Sequence, residues 1–449
     1  MPELPKAFEL RMQHQLGEEY PTFIESLNRE APATIRLHPL RTGIPWLAGG
    51  VGKQVPWCAE GVILPSRPSY TLDPLFHAGC YYVQEASSMF AGEAFRQLVS
   101  EAKPLRVLDC CAAPGGKSTH IAGMLHPDSL LVCNEVIRSR VPALTTNLDK
   151  WGYANTAVTS ADPEVFSSLP GFFDVIILDA PCSGEGLFRK DHSAIMEWTP
   201  ANANLCALRQ KRILDAVWPS LKEGGLLIYS TCTFNPEEDE QNIHTFIEQN
   251  GGQCELLAVN PDWNISTVTF GTCTGYKFYP HLVDGEGFFL TAIRKTEATF
   301  AIGSGARPSK RDYYRDKVGF SSMLKAPERF TLREKADTVY ADPTATLEDL
   351  QKLSSAVPVL RSGLALGTSR HGKIIPEHAV ALSLELNTET FPSAELSPEE
   401  ALRFLRKDTI SLSGSGITCI RHHGYALGWA NILPGRVNNL LPVNWRVRM

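Results

Sequence analysis

LRVLDCCAAPGGKS, residues 105–118, reads as a strand that runs into a glycine turn and then into a helix start. Leu105, Val107 and Leu108 suit a buried strand, and Pro114-Gly115-Gly116 break it before helical spacing resumes. Such a turn lets backbone approach a ligand closely and aims unpaired N–H groups at it. Outward from the turn the pattern repeats. Strands are expected at 105–110, 130–134, 156–159, 175–178, 226–230 and 288–293. Helices are expected at 85–98, from near 117, at 138–151, at 201–221 and at 237–250. Strands alternating with helices of about ten or more residues predict βαβ units and a parallel sheet, whose ligands bind beyond the carboxyl ends of the strands.

Around this α/β core the chain divides into further parts. Residues 1–78 combine one or two short helices, on Phe8, Met12, Leu16, Tyr20, Phe23, Ile24 and Leu27, with a Pro- and Gly-rich stretch of short strands, a small α+β lobe. Residues 79–296 hold the alternating core. The stretch 297–345 is charged and poor in apolar positions, and reads as a basic linker or lid. Its cations Arg307, Lys310, Arg311, Arg315, Lys317, Lys325, Arg329 and Arg333 face Asp312, Asp316 and Glu328. Residues 346–449 return to short strands around a helix at 397–405, where Ser397-Pro-Glu-Glu carries N-terminal helix signals. No acidic residue follows Asp408.

With 449 residues, 43% apolar and 20% charged, the chain has room for a large core and several domains. No signal segment opens it and no run of about 18 apolar residues crosses a membrane, so a cytoplasmic protein is expected. The eleven cysteines show no C-x-x-C pair, which predicts buried thiols with no structural metal and no disulfide framework. A net charge of -6 argues against a coat of nucleic acid but leaves room for local basic patches.

The ligand of the turn is narrowed by what is missing. A phosphate loop ending in Gly116-Lys117-Ser118 needs a glycine where Cys111 stands, and G-x-G-x-x-G is absent. Three acids at successive strand ends are more telling. Glu135 follows the second strand, Asp162 the third and Asp179 the fourth, so all can meet at one cleft. An acid after the second strand suits ribose hydroxyls, and one after the third suits an adenine amino group. With the turn Cys111, Ala112, Ala113, Pro114, Gly115, Gly116, Lys117, they fit S-adenosylmethionine.

Two thiols stand at the ends of two of these strands, Cys182 in Asp-Ala-Pro-Cys-Ser-Gly and Cys232 in Ser-Thr-Cys-Thr. Cytosine C5 is a poor nucleophile, so its methylation requires a nucleophile added at C6, a task for a thiolate. A proton donor must meet the charge that develops on the ring, and Asp179 is placed for this if burial raises its pKa. A second group must then help remove the C5 proton, and Cys182 is placed as that base.

The segments DCCAAPGGKST, NEVIRSRVPALTTNLDKWGY, FDVIILDAPCSGEG and LIYSTCTFNPEEDE resemble the signature motifs of the Sun-type RNA cytosine-C5 methyltransferases. The resemblance implies a class I, Rossmann-like methyltransferase core with S-adenosyl-L-methionine as cofactor. It also implies Cys232 as nucleophile, Cys182 as the residue aiding product release, and cofactor contacts at 111–117, Glu135, Asp162 and Asp179. Thr233 departs from the serine common there. The Glu-Asn-Val of DNA cytosine enzymes and the Pro-Pro-aromatic element of adenine-N6 enzymes are not found.

In the flanks, GCYYVQEASSMF resembles the family's entry segment, with Gln84 and Ser87 as candidate substrate contacts. The tail, through Gly372-Lys373, Ala426-Leu-Gly-Trp and Asn438-Asn, resembles a bacterial branch acting on small-subunit ribosomal RNA, which ends in a PUA-like RNA-binding module. Arg436, Trp429, Trp445 and Arg446 are candidate RNA contacts there. RNA, as small-subunit rRNA or the 30S subunit, is the expected partner of a monomer. The same reaction on tRNA and a non-catalytic assembly factor are the alternatives.

Overall fold

The computed structural model describes residues 3–47, 51–100, 102–298 and 313–448. Arg307, Lys310, Arg311 and Asp312 of the expected linker lie outside the described residues.

The first lobe opens with helices Lys6–Leu16 and Tyr20–Leu27. Their buried Phe8, Met12, Phe23 and Leu27 pack against Phe188, Trp198, Phe234 and Tyr279, so this apolar stripe is anchored on the central unit. Strands β1 (Ala33–Leu37), β2 (Lys53–Gln54), β3 (Gly61–Leu64) and β4 (Tyr81–Val83) form an antiparallel sheet in the order β2-β3-β1-β4.

The central sheet contains β5 (Arg106–Asp109), β6 (Leu130–Asn134), β7 (Thr156–Thr159), β8 (Phe173–Asp179), β9 (Leu221–Thr231), β10 (Gln253–Cys254), β11 (Ser266–Phe270), β12 (Cys273–Phe278) and β13 (Phe288–Arg294). Its path runs β11-β12-β13-β9-β8-β5-β6-β7. Strands β9-β8-β5-β6-β7 are parallel. They are buried nearly throughout, which is why they read as unbroken apolar runs. Helices Phe90–Leu98 and Val141–Trp151 cover one face, and Pro200–Val217 and Glu240–Asn250 the other. The strand order reverses between β5 and β8, and there a ligand cleft opens.

The sheet is mixed rather than wholly parallel. β13 runs antiparallel to β9, and the hairpin β11–β12 extends that edge. At the opposite edge β16 (Val359–Ser362) pairs antiparallel with β7 and caps it. No disulfide was expected, yet Cys254 and Cys273 are bonded, because β10 and β12 pair with successive stretches of the same edge of β13, the edge opposite β9, and so bring the two positions together.

The stretch expected as a linker is partly folded. β14 (Phe330–Lys335) and β15 (Thr338–Pro343) form a hairpin whose turn residues Ala336 and Asp337 have φ of 48° and 64°. Such a two-residue turn matches the strand twist, and its flanking charges hid the alternation. With β17 (Leu364–Arg370) and β18 (Lys373–Pro376) it makes one sheet. β19 (Ser393–Glu395), β20 (Gly416–His422), β21 (Tyr425–Leu433) and β22 (Arg436–Asn439) make the last. The expected helix is present as Pro398–Leu405, capped reciprocally by Ser397 and Glu400. No helix among the described residues is long and apolar enough to cross a membrane.

Candidate active site

The glycine turn leaves β5 at Asp109 and enters the helix Gly116–Ala122. Gly115 bends the chain at a φ of 112°, where a Cβ would be strained and would meet Leu144 at 3.3 Å. A cavity of about 210 Å³ lies over the turn. One wall is Cys111, Ala112, Ala113, Pro114, Gly116 and Lys117, and the other is the entry segment from Tyr82 to Glu85 with Ser88. Asp109 and Asp179 close it.

Asp109 was not singled out from sequence, where it reads as the polar end of a strand. It is buried, accepts from Ser118 Oγ at 2.6 Å on one oxygen and has no partner on the other. Burial pushes its pKa up to about 7, against the Ser118 hydrogen bond. Glu135 and Asp162 stand at the next strand ends. Glu135 is buried, accepting from the Ile137 N–H at 2.8 Å, with the Arg140 guanidinium 3.3 Å from its other oxygen. Asp162 does not line the cavity: Arg212 binds both its oxygens at 3.1 Å and holds its pKa below the usual range.

Asp179 was expected as an acid protonated through burial. Its side chain is 38% exposed and is paired with Lys117, Nζ to Oδ2 2.8 Å, while Ser230 Oγ donates to Oδ1 at 2.9 Å. The donor beside its carboxyl group is Lys117 Nζ. Lys117 therefore reaches past the turn toward the thiols' strands, a role the sequence did not reveal.

Parallel pairing sets Asp179 opposite Ser230. Cys182 and Cys232 follow on the same two strand ends, their sulfurs 3.0 Å apart. The Cys232 N–H also donates to the Cys182 sulfur at 3.3 Å. Hydrogen bonding to Cys232, and then burial, raise the pKa of Cys182 well above that of a free thiol.

The loop carrying Cys182 is fixed from behind. Glu238 accepts from Ser183 N at 2.8 Å and Ser183 Oγ at 2.5 Å, and Gln210 bridges Glu238 and the Pro181 carbonyl at 3.1 Å each. Burial raises the pKa of Glu238 to about 7. Buried Glu185 accepts from Arg11 at 2.7 Å, Trp198 at 2.9 Å and Phe234 N at 3.1 Å, tying the loop to the first helix. Neither acid was singled out from sequence, since Pro-Cys-Ser-Gly-Glu-Gly drew the reading to its sulfur.

Of the flanking candidates, Gln84 lines the cavity, with its Oε1 buried and unpartnered. Ser87 does not reach it, because it is buried and donates to the Glu286 carbonyl. Trp429 is a core residue donating to the Glu377 carbonyl at 2.9 Å, and Trp445 packs on His378 at 4.3 Å between ring centroids. Arg436 and Arg446 are exposed.

The site fits S-adenosylmethionine. The ligand carries a cationic sulfonium and ammonium, and the cavity offers the unpartnered Asp109 oxygen beside an open glycine turn; Glu135, like Asp162, stands at a neighbouring strand end outside the cavity's lining.

Comparison with known proteins agrees with this geometry. Residues 98–294 match the family model described as 16S rRNA methyltransferase RsmB/F. Residues 4–86 match the N-terminal domain of 16S rRNA methyltransferase RsmF, and 391–447 the methyltransferase RsmF PUA domain. The chain is 30% identical to ribosomal RNA small subunit methyltransferase F of Vibrio campbellii over 98% of its own length and 97% of that protein. Among solved structures it resembles a methyltransferase homolog protein from Pyrococcus horikoshii, with a TM-score of 0.55, 30% identity, and 65% of this chain and 95% of that one covered. NSun6 from the same organism, solved with SFG, shares the fold at a TM-score of 0.55 and 21% identity, over 65% of this chain and 98% of that one. The chain is an S-adenosylmethionine-dependent methyltransferase and belongs to the family of ribosomal RNA small subunit methyltransferase F.

Proposed function

We propose that this enzyme methylates C5 of one cytosine in small-subunit ribosomal RNA through a covalent bond between Cys232 and C6 of the base. The observation that carries the reading is the pair of sulfurs 3.0 Å apart, on strands whose facing residues are Asp179, which lines the cofactor cavity, and Ser230, which donates to Asp179. Two thiols in contact serve a reaction in which one bonds to carbon while the other handles protons.

The residues then have distinct roles. Asp109 and the turn 111–116 hold the cofactor's methionine end, and Glu135 its ribose; Asp162 reaches the adenine only after exchanging Arg212 for it. Bound cofactor supplies an electrophilic methyl group and leaves as a neutral thioether. Cys232 acts as thiolate, with the Cys182 S–H donating to it, and its electron pair forms the S–C6 bond while the C5=C6 pair moves into the ring. Lys117, oriented by Asp179, meets that charge. Once C5 carries its methyl, Cys182, having released its own proton to solvent, takes the C5 proton directly or through a water. The C5–H pair re-forms C5=C6 and expels the Cys232 thiolate. The base must be turned out of its stack to reach the thiols.

The ribosomal substrate is supported by what the relatives' names state and by the match of 391–447 to a PUA domain. Its cationic tail, where Arg436 and Arg446 are exposed, suits phosphate contact. A substrate of this kind places the enzyme in the cytoplasm. Bisulfite mapping of total RNA from cells with and without the protein tests the proposal. One small-subunit cytosine should lose its modification; loss of a tRNA mark with ribosomal RNA unchanged would overturn the choice of substrate.

A further inference from the structure

The most spacious cavity described lies away from the thiols. It holds about 620 Å³ between the first lobe and the central unit and is lined in part by Trp57, Cys58, Glu60, Gly92, His120 and Trp263. Among the described residues it contains the one group of three His, Cys, Asp or Glu side chains close enough to share a metal ion: Cys58, Glu60 and His120, ligand atoms all within 4.8 Å of one another. The Cys58 sulfur is 3.8 Å from His120 Nε2 and 3.8 Å from Glu60 Oε2. An ion bound tetrahedrally at about 2.3 Å from sulfur and about 2.0 Å from nitrogen or oxygen separates such ligands by roughly 3.5 Å.

Two further observations point to a ligand. His120 is buried at 6% exposure, yet its Nδ1 has no hydrogen-bond partner and Nε2 meets nothing but the Cys58 sulfur among the hydrogen bonds described. The helix Phe90–Leu98 also carries a glycine where this ring lies: a Cβ on Gly92 would stand 2.2 Å from His120 Cε1 and 2.6 Å from Nε2. Glycine inside a helix costs about 1 kcal/mol relative to alanine, and here it makes room for the imidazole.

We propose that Cys58, Glu60 and His120 form a binding site for a divalent transition metal ion of the zinc class, with a fourth position open to the cavity. Thiolate and imidazole select such an ion over magnesium or calcium, and the thiolate and carboxylate together neutralise its two charges. The buried Arg36 donates to the Gly116 carbonyl at 3.1 Å and Thr119 Oγ1 at 2.7 Å, and its charge also acts on the group, favouring the thiolate of Cys58 and the neutral ring of His120. Cys58 and Glu60 sit just before β3 of the first lobe, whereas His120 lies on the helix that begins at Gly116 and bears Lys117. The ion would staple the lobe to the helix that follows the cofactor turn. The ligands are far apart in sequence and meet only across this junction, so no short motif announces them.

The test is metal binding by the full-length enzyme, purified without a polyhistidine tag, kept reduced, stripped with chelator and titrated with cobalt(II) and zinc(II). The wild type should take up about one equivalent of either, with thiolate-to-cobalt charge transfer and the visible bands of a tetrahedral site. C58S should lose the charge transfer, and C58S, H120A and E60Q should each weaken binding by at least about tenfold. Glu60 is partly exposed, so E60Q keeps the test independent of core packing. A C182S/C232S double variant separates this site from the paired active-site thiols and should bind as the wild type does. Wild-type enzyme that binds neither ion, or a signal that survives in C58S and disappears in the double variant, would overturn the proposal.

Discussion

The sulfur of Cys182 lies 3.0 Å from that of Cys232, and the Cys232 N–H donates to the same Cys182 sulfur. The second contact positions Cys182 against the backbone of its partner. Hydrogen bonding to the Cys232 side chain and burial raise the pKa of Cys182, and the Cys232 N–H opposes the rise; in the proposed mechanism Cys232 is the nucleophile.

Removing the nucleophile should therefore abolish turnover. C232A is expected to show no methyl transfer to small subunits while binding cofactor and RNA as the wild type does, because neither the cavity nor the basic tail depends on this sulfur. Single-turnover assays with labelled cofactor, alongside equilibrium binding, check both parts.

Lys117 lines the cofactor cavity with the rest of the turn, and its Nζ also rests on Asp179 at 2.8 Å. K117M is expected to lower kcat by about 10²–10³-fold, the usual cost of one preorganised charge at a reacting centre. Cofactor affinity should move much less. A K117M enzyme with normal kcat and weakened cofactor binding would return Lys117 to the cofactor's side of the site.

Asp109 gives a proton signature. Burial holds its pKa at about 7, and a cofactor cation beside its unpartnered oxygen favours the carboxylate. Cofactor binding between about pH 6 and 7 should then release up to about one proton, measured by calorimetry in buffers of different ionisation enthalpy. D109N should abolish the release.

Glu238 links the thiol loop to stability. Its folded pKa of about 7 lies above the ordinary 4.5, so its contribution is complete below about pH 4.5 and is lost as pH rises through about 7. E238Q has no such loss. Urea denaturation across this window should move the stability difference in favour of the glutamine variant by roughly 3 kcal/mol, at about 1.4 kcal/mol per pKa unit.

The strands that position the site were readable because they are buried on both faces and carry unbroken apolar runs. Their ends therefore fell within a residue or two of β5, β6 and β7, and the two thiols with them. What stayed hidden depends on distance in sequence. Asp109 and Glu238 owe their character to burial, which a lone acid in a chain does not display. The Lys117–Asp179 pair needs β5 and β8 to be neighbours, and the Cys254–Cys273 bond needs β10 and β12 to follow one another along one edge of β13. Charged side chains masked the hairpin β14–β15, where Arg333 lies over the Tyr340 ring at 4.7 Å and pairs with Asp342 at 2.8 Å. The pairing of β16 with β7 joins segments some two hundred residues apart, and no local pattern carries it.

The central claim is that Cys232 bonds to the base and Cys182 lets it go. Incubating C182A with cofactor and purified small subunits, then resolving the products under denaturing conditions, tests this most directly. Release should slow by about 10²–10⁴-fold, and a protein–RNA adduct should accumulate whose crosslinked peptide contains Cys232. No adduct from C182A, together with undiminished methyl transfer by C232A, would contradict the account.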